Sequence, residues 1–342
     1  MSTITDVAKA AGVSVATVSR ALRGLDRVSP ETRERVRRAA EELNFVASPT
    51  ATSLVSGRTR VVAVVAPFLT RWFFSTLVSA IDRTLRAQDH HVLLFDLEDD
   101  RFDRRRELTR TMLWKRVDGL ISLNVPFTPA EMALLDRLRL PHVSIGTLVP
   151  GRPIVRIDDA AAARVATQHV IGLGHTRIAY VGVVSPNVAL AQVPQYRLDS
   201  FRATLDAHGL EYRPDWTVGS DWTADAAARD IDRVLAQRDP PTAVVAASDE
   251  MAVGVLQAAR RRGIPVPERL SVVGIDDFYL AGVMDLTTVR QNVSAQGATA
   301  ATMLLALLDD EPADAVVIMP TQLVIRGSTG PATSAGPASS AG

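Results

Sequence analysis

The sequence predicts an N-terminal all-α helix-turn-helix head followed by an α/β body of two doubly wound parallel-sheet lobes. Three observations carry this. Through the first 44 positions apolar residues recur at helical spacing, and capping residues divide them into three short segments. From position 60 short apolar runs alternate with amphipathic stretches, the pattern of a parallel sheet covered by helices. After about residue 159 that alternation restarts, so the body reads as two lobes of one design.

In the head, Ile4, Val7, Ala8 and Ala11 fall on one helical face, and Gly12 supplies a left-handed stop. Ser14 is the expected N-cap of a second helix anchored by Val18 and Leu22. Ser29, Pro30 and Glu31 open a third, with Val36, Ala40 and Leu43 as its stripe. Small Ala8 and Ala11 let the first two helices cross closely. Val15, Ala16, Thr17, Ser19 and Arg20 are then left to enter a DNA major groove: methyl groups can touch thymine, and Arg20 can fork onto guanine. A purely structural hairpin is the alternative, with Arg20 as a phosphate contact or a solvated charge.

The chain has 342 residues, 47% of them hydrophobic, enough for several domains. Its formal net charge is zero, yet residues 1–58 hold nine cations against six anions, a modestly basic head on a slightly acidic body. No apolar stretch approaches the roughly 18 residues of a membrane span, and the first thirty residues carry charges where a signal peptide would be apolar, so a cytoplasmic protein without membrane contact is expected. There is no cysteine, which excludes disulfides and thiolate chemistry. Phosphate-binding, hydrolase-elbow and zinc-protease motifs are absent and the six histidines are scattered, so neither enzyme activity, a metal nor a cofactor is expected.

"TITDVAKAAGVSVATVSRAL" followed by "VSPETRERVRRAAEELNFVAS" resembles the DNA-binding head of the LacI/GalR family of transcriptional repressors. The resemblance implies that Val15, Ala16 and Arg20 contact bases, and that Thr5, Ser14, Thr17, Ser19 and Asn44 position the head or meet phosphates. It also implies a hinge segment over 46–59 that becomes helical on DNA, where Ala51 lies and Leu54 wedges into a minor-groove step. Ala47 stands where the family usually has Pro, and Thr52 where it often has Arg. Without the resemblance, the Ser, Thr and Pro of this segment read as a tether.

In the body, 61–66, 91–95, 119–123 and 142–146 are strand-like, between helical stretches near 74–88, 103–115 and 128–139. The second cycle has strands at 177–182, 243–248 and 271–276, with helices near 197–208, 223–237 and 249–262. "IGLGHTRIAYVG", "SDEMAVGVLQAARRRGIPVPERLSVVGIDD" and "LTTVRQ" resemble the same family's effector domain, which is built like a periplasmic sugar-binding protein. That implies a head over 1–45, a body over 60–327, and three crossings between lobes. Lobe 1 would then hold about 60–159 and 292–320, lobe 2 about 160–291 and 321–327. Open parallel sheets bind ligands at their carboxyl ends, and strand ends together with family positions give the effector candidates Phe73, Phe74, Arg197, Trp222, Ser248, Asp249 and Asp276. The alternatives are structural: a solvated Arg197, helix caps at Ser248 and Asp249, a loop turn at Asp276, and core packing for the aromatics. Gly146 stands where sugar-binding members often have Asp, and Ser200 replaces a usual Gly. Residues 328–342 are Gly, Ser, Ala and Pro-rich and are expected to be disordered.

The function implied is a sequence-specific repressor. It would bind a pseudo-palindromic double-stranded DNA operator as a homodimer or a tetramer, under a sugar-like small-molecule effector. The rival reading is a sugar-binding carrier without DNA function, which would leave residues 4–44 without a use.

Overall fold

The computed structural model describes residues 2–22, 28–45, 57–97, 106–183 and 192–333. The chain forms two compact units, 1–60 and 61–342.

In the first unit α1 (Ile4–Ala11), α2 (Val15–Leu22) and α3 (Pro30–Glu42) share one small core. Thr3 caps α1 reciprocally with Asp6, and Gly12, at φ 63°, ends it. The Ser14 hydroxyl accepts from the Thr17 amide at 3.1 Å, and Ser29 caps α3 by accepting from Thr32. The Nε of Arg35 donates to the Ala11 carbonyl, one of the acceptors that a helix end leaves open. One anchor differs from expectation. Leu22 is exposed, and Ala21, three residues after Val18, is buried instead. The core of this unit is rich in alanines, and the α2 face it uses runs through Val18 and Ala21.

The second unit holds two six-stranded sheets. The first is built from β1 (Val61–Ala66), β2 (His91–Asp96), β3 (Gly119–Leu123), β4 (His142–Ile145), β5 (Ile154–Ile157) and β11 (Val316–Met319), ordered 11-5-4-3-1-2 and parallel throughout. The second is built from β6 (Ile178–Gly182), β7 (Thr217–Gly219), β8 (Ala243–Ala246), β9 (Ser271–Asp276), β10 (Thr287–Gln291) and β12 (Thr321–Val324), ordered 12-10-9-8-6-7. β12 pairs antiparallel with β10 at the edge. Both orders reverse around their first strand, β1 and β6, which places a crevice at the carboxyl ends there.

Lobe 1 carries α4 (Trp72–Arg86), α5 (Arg110–Leu113), α6 (Pro129–Leu138) and α11 (Val293–Leu308). Lobe 2 carries α7 (Asp159–Gly172), α8 (Gln192–Ala207), α9 (Ala224–Leu235) and α10 (Asp249–Arg261). Where a helix was expected over 103–115, the described part forms only the single turn α5. Glycine is required where α10 crosses α9: a Cβ on Gly254 would lie 2.2 Å from the Ala224 carbonyl oxygen.

The chain passes between the lobes three times, each time through one residue. Asp158 separates β5 from α7, Asn292 separates β10 from α11, and Pro320 separates β11 from β12. Two of these residues also cap the helix they enter: Asp158 accepts from the Ala161 amide and Asn292 from the Ala295 amide, both at 2.9 Å. The lobes further touch where the Trp72 amide donates to Glu250 Oε1 at 3.3 Å and the Trp72 and Phe278 rings meet edge to face.

The expectation of disorder from 328 is corrected at its start. Ser328 is buried, donates to the Val272 carbonyl and accepts from the Thr287 amide, and the Ala332 amide donates to the Leu173 carbonyl. Small hydroxyl residues that looked like a polar tail serve as hydrogen-bond partners along lobe 2. Residues 334–342 lie outside the described part.

Candidate functional site

On α2 the inward positions are Val18 and Ala21, so the remaining faces are open. Val15, Ala16 and Arg20 are exposed, and Thr17 and Ser19 are half-buried. Ala16 and Arg20 are four apart and lie on one face. No acid stands in the first turn of α2, so no side-chain charge offsets its positive end, which the Ser14 hydroxyl caps. Arg20 has no hydrogen-bond or ion-pair partner among the described residues, whereas Arg37 and Arg38 on α3 are held by Glu34 and Glu41. Thr5, Ser14 and Asn44 are exposed, and Asn44 has a left-handed backbone at φ 47° just past α3. Ala51 and Leu54, with most of the expected hinge segment, lie outside the described residues.

The second constellation lies at the carboxyl ends of the lobe 2 strands. Arg197 on α8 is buried. Its Nε and Nη2 reach Oδ1 of Asp159 at 2.9 and 2.8 Å, and its Nη1 donates to the Ala247 carbonyl beyond β8. Burial works against both charges of this pair, but Asp159 and then Asp276 lift Arg197 above its ordinary value. Asp276 ends β9 with a backbone at φ 138°, a conformation costing about 1–3 kcal/mol. Its Oδ1 accepts from Gln291 Nε2 at 2.6 Å, and Gln291 Oε1 in turn accepts from Gln296 of lobe 1 at 2.8 Å. A polar chain thus links the Asp276 carboxyl to both sides of the Asn292 crossing.

Burial pushes Asp276 up to about 8, against the pull of Arg197, and Asp249 up to about 6. The unfolded carboxyl loses its proton near 3.8, so between these values the folded chain holds more protons and its stability falls as pH rises. Unfolding free energy should therefore decline from about pH 4 to about pH 8, by at most about 1.4 kcal/mol per pH unit from this group. Asp276→Asn should flatten the decline. Urea titrations at pH 5 and pH 8 measure both, and an unchanged slope in the variant contradicts the assignment.

Two of the expected effector residues are packed inside their lobes. Asp249 has no exposed surface: its carboxylate accepts from the Thr288 hydroxyl at 2.6 Å and the Phe278 amide at 3.1 Å. It occupies the space above Gly274, where a Cβ would lie 2.2 Å from its Oδ1. Phe74 is buried in the lobe 1 core, its ring edge to face with Phe68 and Phe73. Phe73 is half-buried on the same core. Ser248 is the N-cap of α10, accepting from the Met251 amide at 3.3 Å. Trp222 is half-buried at the margin of the lobe 2 core, two residues after Ser220. Sequence reasoning did not find Asp159, Gln291 or Gln296, nor the buried Asn124 Oδ1 beyond β3 and Ser220 Oγ beyond β7, which have no partner among the described residues. Position at a strand end was the available signal for the last two.

Among the described residues no helix is long and apolar enough to cross a membrane, and no group of acids and histidines could hold a metal ion.

Residues 3–48 match the family model for bacterial regulatory proteins, lacI family, and residues 167–329 match a periplasmic binding protein-like domain. The chain is 31% identical to catabolite control protein A of Priestia megaterium, covering 96% of this chain and 99% of that one. It is 32% identical to the transcriptional repressor CytR of Escherichia coli K12, with 96% of each covered. Among solved structures, the lac repressor dimer bound to operator and the anti-inducer ONPF superposes with a TM-score of 0.84 at 26% identity, over 96% of this chain and 99% of that one. A complex of the transcriptional regulator CelR with cellobiose gives 0.68 at 29% identity, over 96% and 100%.

Proposed function

We propose, since this chain belongs to the lacI family of bacterial regulatory proteins, that it represses transcription by binding a pseudo-palindromic operator as a homodimer under the control of a small effector. The observation that carries the DNA half of this reading is the outward face of α2, where Val15, Ala16 and Arg20, unpaired among the described residues, are exposed while Val18 and Ala21 face the core. An α-helix presenting short side chains and one free guanidinium fits the major groove and its hydrogen-bond code. Thr5, Ser14, Thr17, Ser19 and Asn44 supply the positioning contacts in this reading, and Ala51 and Leu54 the hinge contacts. A solved relative in complex with operator supports the same docking for this chain.

The effector enters the cleft between the two sheets, with Arg197, Asp276, Trp222 and Ser248 on lobe 2 and Phe73 toward lobe 1. A sugar is the favoured class, because a regulator of this fold has been solved with cellobiose. Ligand binding that prefers one lobe arrangement by a few kcal/mol then shifts how readily the dimer engages DNA. The protein works in the cytoplasm and carries out no catalysis. A sugar carrier without DNA function is disfavoured by the head, whose exposed helix would serve nothing.

The test is a gel-shift titration at fixed salt. A duplex enriched by selection against the full chain should bind at least about 10³-fold more tightly than its scrambled counterpart. Affinity for both should fall with added salt, steeply enough to mark several phosphate contacts. Equal affinity for the two sequences ends the reading.

A further inference from the structure

The lobe 2 floor of the cleft is spent on its own charges. Arg197 gives three of its five N–H groups to Asp159 and the Ala247 carbonyl, which leaves one on Nη1 and one on Nη2. Asp276 adds a carboxyl group beside this pair, with the fully buried Asp249 next to it. Arg156 and Asp158, which reach Asp159 from the crossing, act on it in opposite senses.

The helix N-termini around the cleft are occupied in the same way. A bare helix start attracts phosphate through its free amides and positive end. Here α7 begins with Asp158 and Asp159, and α10 begins with Ser248, Asp249 and Glu250. The start of α4 in lobe 1 has no side-chain cap of its own, and its Trp72 amide donates to Glu250 from the opposite lobe. At the starts of α7 and α4 a carboxylate of this chain, Asp158 or Glu250, already takes an amide that an anion would use, and at α10 the Ser248 hydroxyl takes the Met251 amide.

We propose that the cleft takes an uncharged, hydroxyl-rich ligand and excludes phosphorylated or carboxylated ones, with Asp159 as the residue that sets this choice. The inference rests on the interlobe cleft being the effector site. The two remaining N–H groups of Arg197 can donate to hydroxyls. Asp276, which already accepts from Gln291 Nε2 and from the Asp249 backbone, can donate to a hydroxyl when protonated and accept from one when ionised. An incoming phosphate would meet a cation already neutralised by Asp159, with the Asp276 carboxyl beside it. Its lost hydration would go uncompensated.

The experiment measures thermal shifts and calorimetric affinities on the full chain. The probes are inorganic phosphate against chloride at equal ionic strength, and the pairs glucose and glucose 6-phosphate, ribose and ribose 5-phosphate. Phosphate should leave the wild type unmoved, and any sugar that binds should do so at least about tenfold more tightly than its phosphate ester. The double variant Asp159→Asn with Asp276→Asn, verified as folded by circular dichroism, should gain a melting shift of about 2 °C in roughly 10 mM phosphate. A phosphate response in the wild type that disappears in Arg197→Gln overturns the proposal, as does a folded double variant that gains none. Should the double variant fail to fold, the wild-type comparisons decide alone. A sugar phosphate that binds the wild type and is lost in Trp222→Ala refutes the charge rule while upholding the cleft. A ligand indifferent to both Trp222 and Arg197 refutes the cleft itself.

Discussion

Asp159→Ala should destabilise the body by about 3–5 kcal/mol, because it strands the guanidinium of Arg197 in the protein interior. Both partners are almost wholly inaccessible to water, with side chains about 5% and 4% exposed. Arg197 would keep its bond to the Ala247 carbonyl, which answers one N–H group and none of the charge. Asp276 would ionise more readily in response and recover part of the loss. Removing both charges together, as Asp159→Leu with Arg197→Met, should restore much of the stability, since a buried ion pair gives little net advantage over apolar side chains of similar volume. Urea unfolding followed by tryptophan fluorescence reads the differences. If the single and double variants lose equally, the pair is a matter of packing and not of charge.

Arg20→Ala should cut the preference for operator over scrambled DNA by about 10-fold to 100-fold, the effect of losing one forked contact to guanine at about 1–3 kcal/mol. Affinity for scrambled DNA should change little beyond what one phosphate-range cation contributes. Arg37→Ala is the internal control. That arginine is bound to Glu34 and Glu41 on its own helix and should leave discrimination intact. A loss of the same size with both variants would show that the head binds by charge alone. Circular dichroism of each variant should be unchanged, because both side chains lie outside the small core of the head.

The legible parts of the molecule are those in which pattern and physical cause are local. Gly12, Ser14, Ser29 and Pro30 mark helix ends through their own backbone or hydroxyl chemistry, and the structure uses all four in this way. The long apolar strands β1, β3 and β9 stand out for the same reason. Among the short strands the apolar β4 and β8 stand out as well, whereas β5, β7, β11 and β12, with three or four residues each, and β10, which carries Thr287, Thr288 and Arg290, do not. Ala21 rather than Leu22 faces the core of the head because the helix phase is set by packing and not by side-chain size. Arg197 and Asp276 could be singled out as strand-end or family positions. The pairing of Arg197 with Asp159 was not legible, since 38 residues separate them and only the packing of α7 against α8 brings them together. The buried space that Gly274 opens for Asp249 was not legible either, because the two residues are distant in the chain.

The passages through Asp158, Asn292 and Pro320 have a mechanical consequence. On either side of each, the neighbouring residue is fixed in a different lobe, so there is no slack to let the lobes slide or draw apart. What remains is rotation about the crossings. A few degrees of twist there become a wide swing at the far lip, in the manner of a lever. Lengthening any one crossing would turn a stiff pivot into a loose strap, leaving the lobes free to move without transmitting force.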